Sequence, residues 1–188
     1  ELFNRHKLSG AIPSARKNYL AALVDHWSEE DLGFEKDKFP PEKTIYYSLL
    51  KNTGLHTNNG FADAPTKDIL NLWNESIHFL QSTVGRQRRI SELIKTLSNQ
   101  PFKMKQGFLD FWIPTFLFIK RQDFALYDVN NGAYIPNVDM LFFDLLQKHP
   151  ADYAVKAFEV DGVKLEFFNQ YRQFVNLDEE FRITTHNF

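Results

Sequence analysis

The sequence predicts a mainly α fold: a helical domain with a winged-helix-like β-hairpin segment. Three observations carry this prediction. Apolar residues recur at helical spacing in one stretch after another. Glycines and prolines stand at the ends of those stretches, where they punctuate helices. The segment Phe124–Ile135 instead places Asn131-Gly132 between two short aromatic-rich runs, the turn dipeptide of a hairpin.

The first helix follows Pro13-Ser14, a start signal, and carries Leu20, Leu23, Val24 and Trp27 on one stripe. It ends in the acidic run Glu29-Glu30-Asp31 and Gly33. A linker, Glu35 to Pro40, leads to Pro41 in the first turn of a second helix with Ile45, Tyr46, Leu49 and Leu50, stopped by Gly54. Residues 55–65 read as a loop with turn chemistry at Asn58-Asn59-Gly60. A third helix, about 67–83, aligns Ile69, Leu72, Trp73, Ile77 and Leu80, and Gly85 breaks it. The fourth, 90–98, places Ile90, Leu93, Ile94 and Leu97 at i, i+3, i+4 and i+7.

After Pro101 and Gly107 comes the segment 108–120, apolar nearly all round and therefore a central buried helix. Pro114 lacks an amide proton, so a kink or break is expected between Phe111 and Leu117. Trp112, Phe116 and Tyr127 are expected to be buried where the hairpin packs over this helix. Asn137 is placed to cap a sixth helix with Leu141, Phe142, Leu145 and Leu146. A strand is expected over 153–160, then a last helix over 163–176 with Phe167, Phe168, Tyr171, Phe174 and Val175. The chain divides at Gly85 into a helical region, 1–85, and a winged-helix-like region with a C-terminal helix, 86–188.

Composition narrows the function. The chain has no cysteine, which excludes disulfide scaffolds and cysteine-based zinc or redox sites and fits a reducing compartment. Its first residues are polar, and its longest apolar run is interrupted by Asp110 and Pro114, short of a membrane span. A cytoplasmic protein without membrane contact is expected. The chain opens at Glu1 without a methionine, which reads as a segment of a longer polypeptide. Nineteen phenylalanines imply a core dominated by aromatic packing.

The chemistry-bearing patterns are few. Helix, tight turn, helix and hairpin between Ile90 and Ile135 follow the order of a winged helix-turn-helix. From Arg86 to Lys105, six basic residues face one acid, Glu92, in a chain whose net charge is −2. Arg86, Arg88, Arg89, Lys103 and Lys105 are therefore the candidate nucleic-acid-binding residues, acting on phosphates. Against base reading, the second helix offers Asp110 and Thr115 among Phe, Leu, Trp and Ile, where groove recognition needs Arg, Lys, Asn or Gln.

The acidic runs at 29–31 and 178–180 read as solvated surface, because adjacent helical residues point apart. His26 and Glu29 share a helical face without the further ligands a metal needs, so no metal and no cofactor is expected. No phosphate-binding loop, dinucleotide fingerprint or nucleophile elbow occurs, and no catalytic residue is assigned. An enzyme would need a site assembled from scattered groups such as His26, Glu29 and His56.

Glu92-Leu93-Ile94, Pro101-Phe102-Lys103-Met104-Lys105-Gln106-Gly107, Ile113-Pro114, Phe124-Ala125-Leu126-Tyr127, Asn131-Gly132 and Tyr134-Ile135-Pro136 together resemble a segment of very large bacterial ATP-binding proteins of phage-defence type. These include the proteins of bacteriophage-exclusion (BREX) systems. Phe39-Pro40-Pro41-Glu42-Lys43 through Gly54-Leu55-His56 is similar to the same family, so the resemblance covers about residues 39–150. Phe102 stands where the family usually has tyrosine, and Met104 where it has leucine. The resemblance implies a helical and winged accessory region downstream of a P-loop ATPase module, with no catalytic residue of its own. The function expected is a non-catalytic accessory or interaction module of a larger ATP-binding protein, whose partner is the rest of the parent polypeptide or another protein. The alternative is a non-specific DNA-binding winged-helix module.

Overall fold

The computed structural model describes residues 12–58, 60–66 and 68–159. The helix expected over 163–176 lies outside them. Among the described residues there are six α-helices and two small antiparallel sheets, a mixed α/β fold rather than the mainly α one expected.

Helix α1 spans Ile12–Asp25 and buries Tyr19, Leu20 and Leu23. Helix α2, Pro41–Tyr46, starts with proline as its sequence predicts and continues as a π-helical turn, Tyr47–Lys51. Gly54 adopts φ 77°, and the Leu55 amide donates to the Leu50 carbonyl at 3.0 Å, the left-handed stop expected of a helix-ending glycine. The segment read as loop contains a minimal hairpin, β1 (His56–Thr57) with β2 (Gly60–Phe61). Helices α3 (Leu70–Gln81) and α4 (Ile90–Ser98) follow, the latter with the bounds its periodicity predicts.

Helix α5, Gln106–Ile119, is the centre of the molecule. Every residue from Phe108 to Ile119 except Asp110 is buried. Phe108, Trp112 and Phe116 form a stacked column at i, i+4 spacing, and Trp73 meets Trp112 and Phe116 edge-on. Such edge-on pairs suit the ring quadrupoles. The break expected at Pro114 does not occur, and the helix runs uninterrupted through it. The reason is lateral support. Pro114 leaves the carbonyl four residues earlier, at Asp110, without its helical donor. Arg16 Nε supplies one at 3.0 Å.

The larger sheet has the order β3-β6-β4-β5, with β3 Arg88–Arg89, β4 Phe124–Asp128, β5 Tyr134–Ile135 and β6 Tyr153–Ala157. The expected hairpin between β4 and β5 exists but is paired only at Leu126–Ile135 and Tyr127–Tyr134. β4 pairs along its full length with β6 instead, from Phe124–Ala157 to Asp128–Tyr153. β6 and β4 are the inner strands, and in β6 the alternate residues Tyr153, Val155 and Ala157 are buried with Ala154. It packs on α3 and α4. The Ala157 amide also donates to Thr83 Oγ1 at 2.8 Å.

Tyr127, expected in the core, is half-buried and sets its ring against Tyr134 at the sheet edge. Helix α6, Met140–Lys148, is capped by Asp139, whose Oδ1 accepts from the Phe142 amide at 3.0 Å, rather than by Asn137. Asp139 wins because an N-cap oxygen must reach the third helical amide. Buried apolar residues from both sides of Gly85 form one cluster.

Candidate functional site

The basic residues singled out in the sequence fall into two groups at opposite ends of α4. Arg86, Arg88 and Arg89 precede it, while Lys103 and Lys105 lie in the turn between its C-terminus and α5. A helix of nine residues separates them by about 13 Å at 1.5 Å per residue. Arg86, Arg89, Lys103 and Lys105 are exposed.

Arg88 is committed to the fold. Its guanidinium contacts Glu92 at 3.0 and 2.9 Å and Ser82 Oγ at 2.5 Å, and lies 4.6 Å from the centre of the Phe79 ring. It thus ties the end of α3 to the start of α4. Burial pushes the Glu92 carboxyl up, but the Arg89 amide and Arg88 outweigh that and hold it below the usual range. Helix α5 is enclosed in the core from Phe108 onward apart from Asp110, so the base-reading face that a recognition helix would need is buried there.

A second cluster is one the sequence concealed. The Glu30–Gly33 turn holds three consecutive residues in the left-handed region, Asp31 (φ 53°), Leu32 (φ 52°) and Gly33 (φ 70°). Left-handed geometry costs a non-glycine residue about 1–2 kcal/mol. It turns Asp31 inward, so this acid is buried rather than part of a solvated run. Its carboxylate accepts from Lys51 Nζ and from Tyr47 Oη at 3.1 Å, and Tyr46 Oη lies 3.4 Å away.

Burial opposes the Asp31 charge, but the hydrogen bonds from Lys51 and Tyr47 and the Lys51 charge prevail, keeping Asp31 below its ordinary pKa. The same bond from Asp31 raises Lys51. Burial first, and Asp31 second, push the Tyr46 phenol upward. His56 completes the cluster, buried, with Nδ1 2.9 Å from Tyr46 Oη and Nε2 2.8 Å from the Trp27 carbonyl oxygen. His56 thus reaches the residue beside His26, and His26 Nδ1 meets Glu29 Oε1 at 2.7 Å. The three scattered groups considered for an enzyme therefore flank one turn, where His26 and Glu29 pair with each other while His56 is directed to Tyr46 and Trp27.

Lys43 is the other concealed polar residue. Its side chain is buried, and its three ammonium donors reach the carbonyls of Glu35, Lys36 and Lys38 at 2.7, 3.1 and 3.0 Å. The Phe39 ring centre lies 4.5 Å away. One cation thereby folds the linker. Its only sequence signal was a lysine two positions after a helix-starting proline.

An open cleft of about 500 Å³ lies between the ends of α1 and α5 and the strands β4 and β5. Trp27, Phe118, Phe124, Tyr134 and Phe158 line it with Arg121. The Arg121 guanidinium sits 4.7 and 4.2 Å from the Trp27 and Phe118 ring centres. Among the described residues, no three His, Asp or Glu side chains converge to hold a metal, and no helix is long and apolar enough to cross a membrane. No family model, curated protein or solved structure matches the chain.

Proposed function

We propose that the chain is a non-catalytic interaction module of a larger bacterial ATP-binding protein of phage-defence type. The order α3, β3, α4, α5, β4 and β6 supports a winged-helix frame. In this reading β6 is the return strand of the wing, and residues 129–152, with β5 and α6, are an insertion at its tip. The observation that carries the reading is the burial of α5. A groove-reading helix must expose polar side chains, whereas this helix is enclosed from Phe108 onward apart from Asp110. The frame serves packing, which leaves its outer surfaces for partners.

The inserted helix supplies such a surface. Leu141 is 70 % exposed and Leu145, one turn on, 39 %. Exposed apolar pairs of this kind suit protein contacts better than phosphates. Co-expression with the ATPase region of a phage-defence protein tests the proposal, with co-purification as the readout. The double variant L141E/L145E is expected to lose association at an unchanged unfolding midpoint. The DNA-binding alternative rests on exposed Arg86, Arg89, Lys103 and Lys105. Duplex binding that weakens steeply with salt and is abolished by charge reversal at these four positions would favour it instead.

A further inference from the structure

We infer that His56, Tyr46 and Asp31 form a proton-sensing relay, in which protonation of His56 turns the Tyr46 hydroxyl from the imidazole to the carboxylate. His56 Nε2 lies 2.8 Å from the Trp27 carbonyl oxygen, which only accepts, so Nε2 carries a proton in every state. Tyr46 has one hydroxyl proton and two acceptors in reach, His56 Nδ1 at 2.9 Å and Asp31 Oδ1 at 3.4 Å. When the imidazole is neutral, Nδ1 accepts the hydrogen bond of that hydroxyl at the shorter distance. When solvent supplies a proton to Nδ1, the imidazolium donates to Tyr46 Oη, and the hydroxyl, keeping its proton, turns to donate to Asp31 Oδ1. Tyr46 keeps its own proton throughout, so the relay takes up one proton and transmits a bond.

The titratable and charged groups that act on this chain include members of four elements. Tyr19 belongs to α1, Tyr46, Tyr47 and Lys51 to α2 and its π turn, Glu30 and Asp31 to the left-handed turn, and His56 to β1, where it also meets the Phe61 ring. Lys51 already balances Asp31, so the protonated relay joins His56 to a carboxylate held by an ammonium. Its two ends are main-chain turns. An imidazolium is the stronger donor to the Trp27 carbonyl, and Tyr46 adds a bond to the turn at Asp31. Acidification therefore tightens the Trp27 turn, and with it one wall of the 500 Å³ cleft that the Trp27 ring lines.

Imidazole nitrogen–proton correlation spectra of the 188-residue chain across pH test this relay. Neutral His56 is expected to carry its proton on Nε2. D31N is expected to move the His56 titration midpoint to lower pH by about one unit or more. In a Y46F background D31N should move it much less, because the connecting hydroxyl is gone. A neutral His56 protonated on Nδ1 overturns the proposal, as does a His56 that stays neutral down to acid unfolding. Equal D31N shifts in both backgrounds, or no shift at all, also overturn it, since a direct field needs no relay. The wild-type tautomer and titration decide the matter even where a variant does not fold.

Discussion

Arg16 Nε donates to the main-chain oxygen of Asp110 at 3.0 Å, and Asp110 is the residue whose helical donor Pro114 removes. The same guanidinium reaches Gln147 Oε1 at 2.9 Å, so one buried cation joins α1, α5 and α6. Beside it, Tyr19 Oη and Thr115 Oγ1 lie 2.8 Å apart, and Thr115 Oγ1 donates to the Phe111 carbonyl at 2.7 Å. Helix α1 thus acts as a polar splint along the weakest stretch of α5.

Removing the splint should expose that weakness. R16M leaves the Asp110 carbonyl unpaired and is expected to destabilise the fold by about 1–3 kcal/mol, the cost of a buried unsatisfied group. P114A restores a helical donor to that carbonyl. Urea unfolding of the single and double variants should therefore show R16M costing less in the P114A background.

Trp112 is fully buried, stacks with Phe108 and Phe116, and donates from Nε1 to Ser76 Oγ at 3.1 Å. W112A is expected to cost about 3–5 kcal/mol, as truncation of a core aromatic does. A strongly lowered denaturant midpoint confirms Trp112 as a core residue, whereas an unchanged one would make it a surface anchor.

The linker depends on Lys43. K43M removes the ammonium that gathers the Glu35, Lys36 and Lys38 carbonyls, while its stem still fills the same space. Amides around residues 34–40 should exchange faster with solvent while those of α5 keep their protection, a local opening rather than global unfolding.

Stability should also fall in acid through Asp31. Its pKa is lower in the folded protein than in the unfolded chain. Its stabilising contribution is therefore complete above the unfolded value of about 3.9 and is lost as pH falls through the folded one. Denaturation midpoints from pH 6 down to pH 2 are expected to decline less steeply below about pH 4 in D31N than in wild type.

Burial of α5 was legible because a helix apolar on every side has no face to offer water. The bounds of α4 followed from its four-residue stripe. Asp31 was not legible. As the third acid of a run it read as solvated, and only the left-handed backbone, hinted at by Gly33, turns it inward. Arg88 likewise read as a phosphate contact until Glu92, Ser82 and Phe79 closed around it. The basic residues at the two ends of α4 formed one patch in sequence and two groups in space.

Among the described residues, the sequence by itself determined which segments become the α-helices and which of them is central, because periodicity and apolar content are properties of neighbouring residues. The tertiary structure decided which groups pair across long separations. It gave β4 the distant β6 as its main partner in place of the adjacent β5, since a strand between two neighbours satisfies donors and acceptors on both edges. It kept α5 continuous through Pro114, since Arg16 arrives from α1 with the missing donor. Such partners are chosen by which surfaces meet, and no local pattern carries that information.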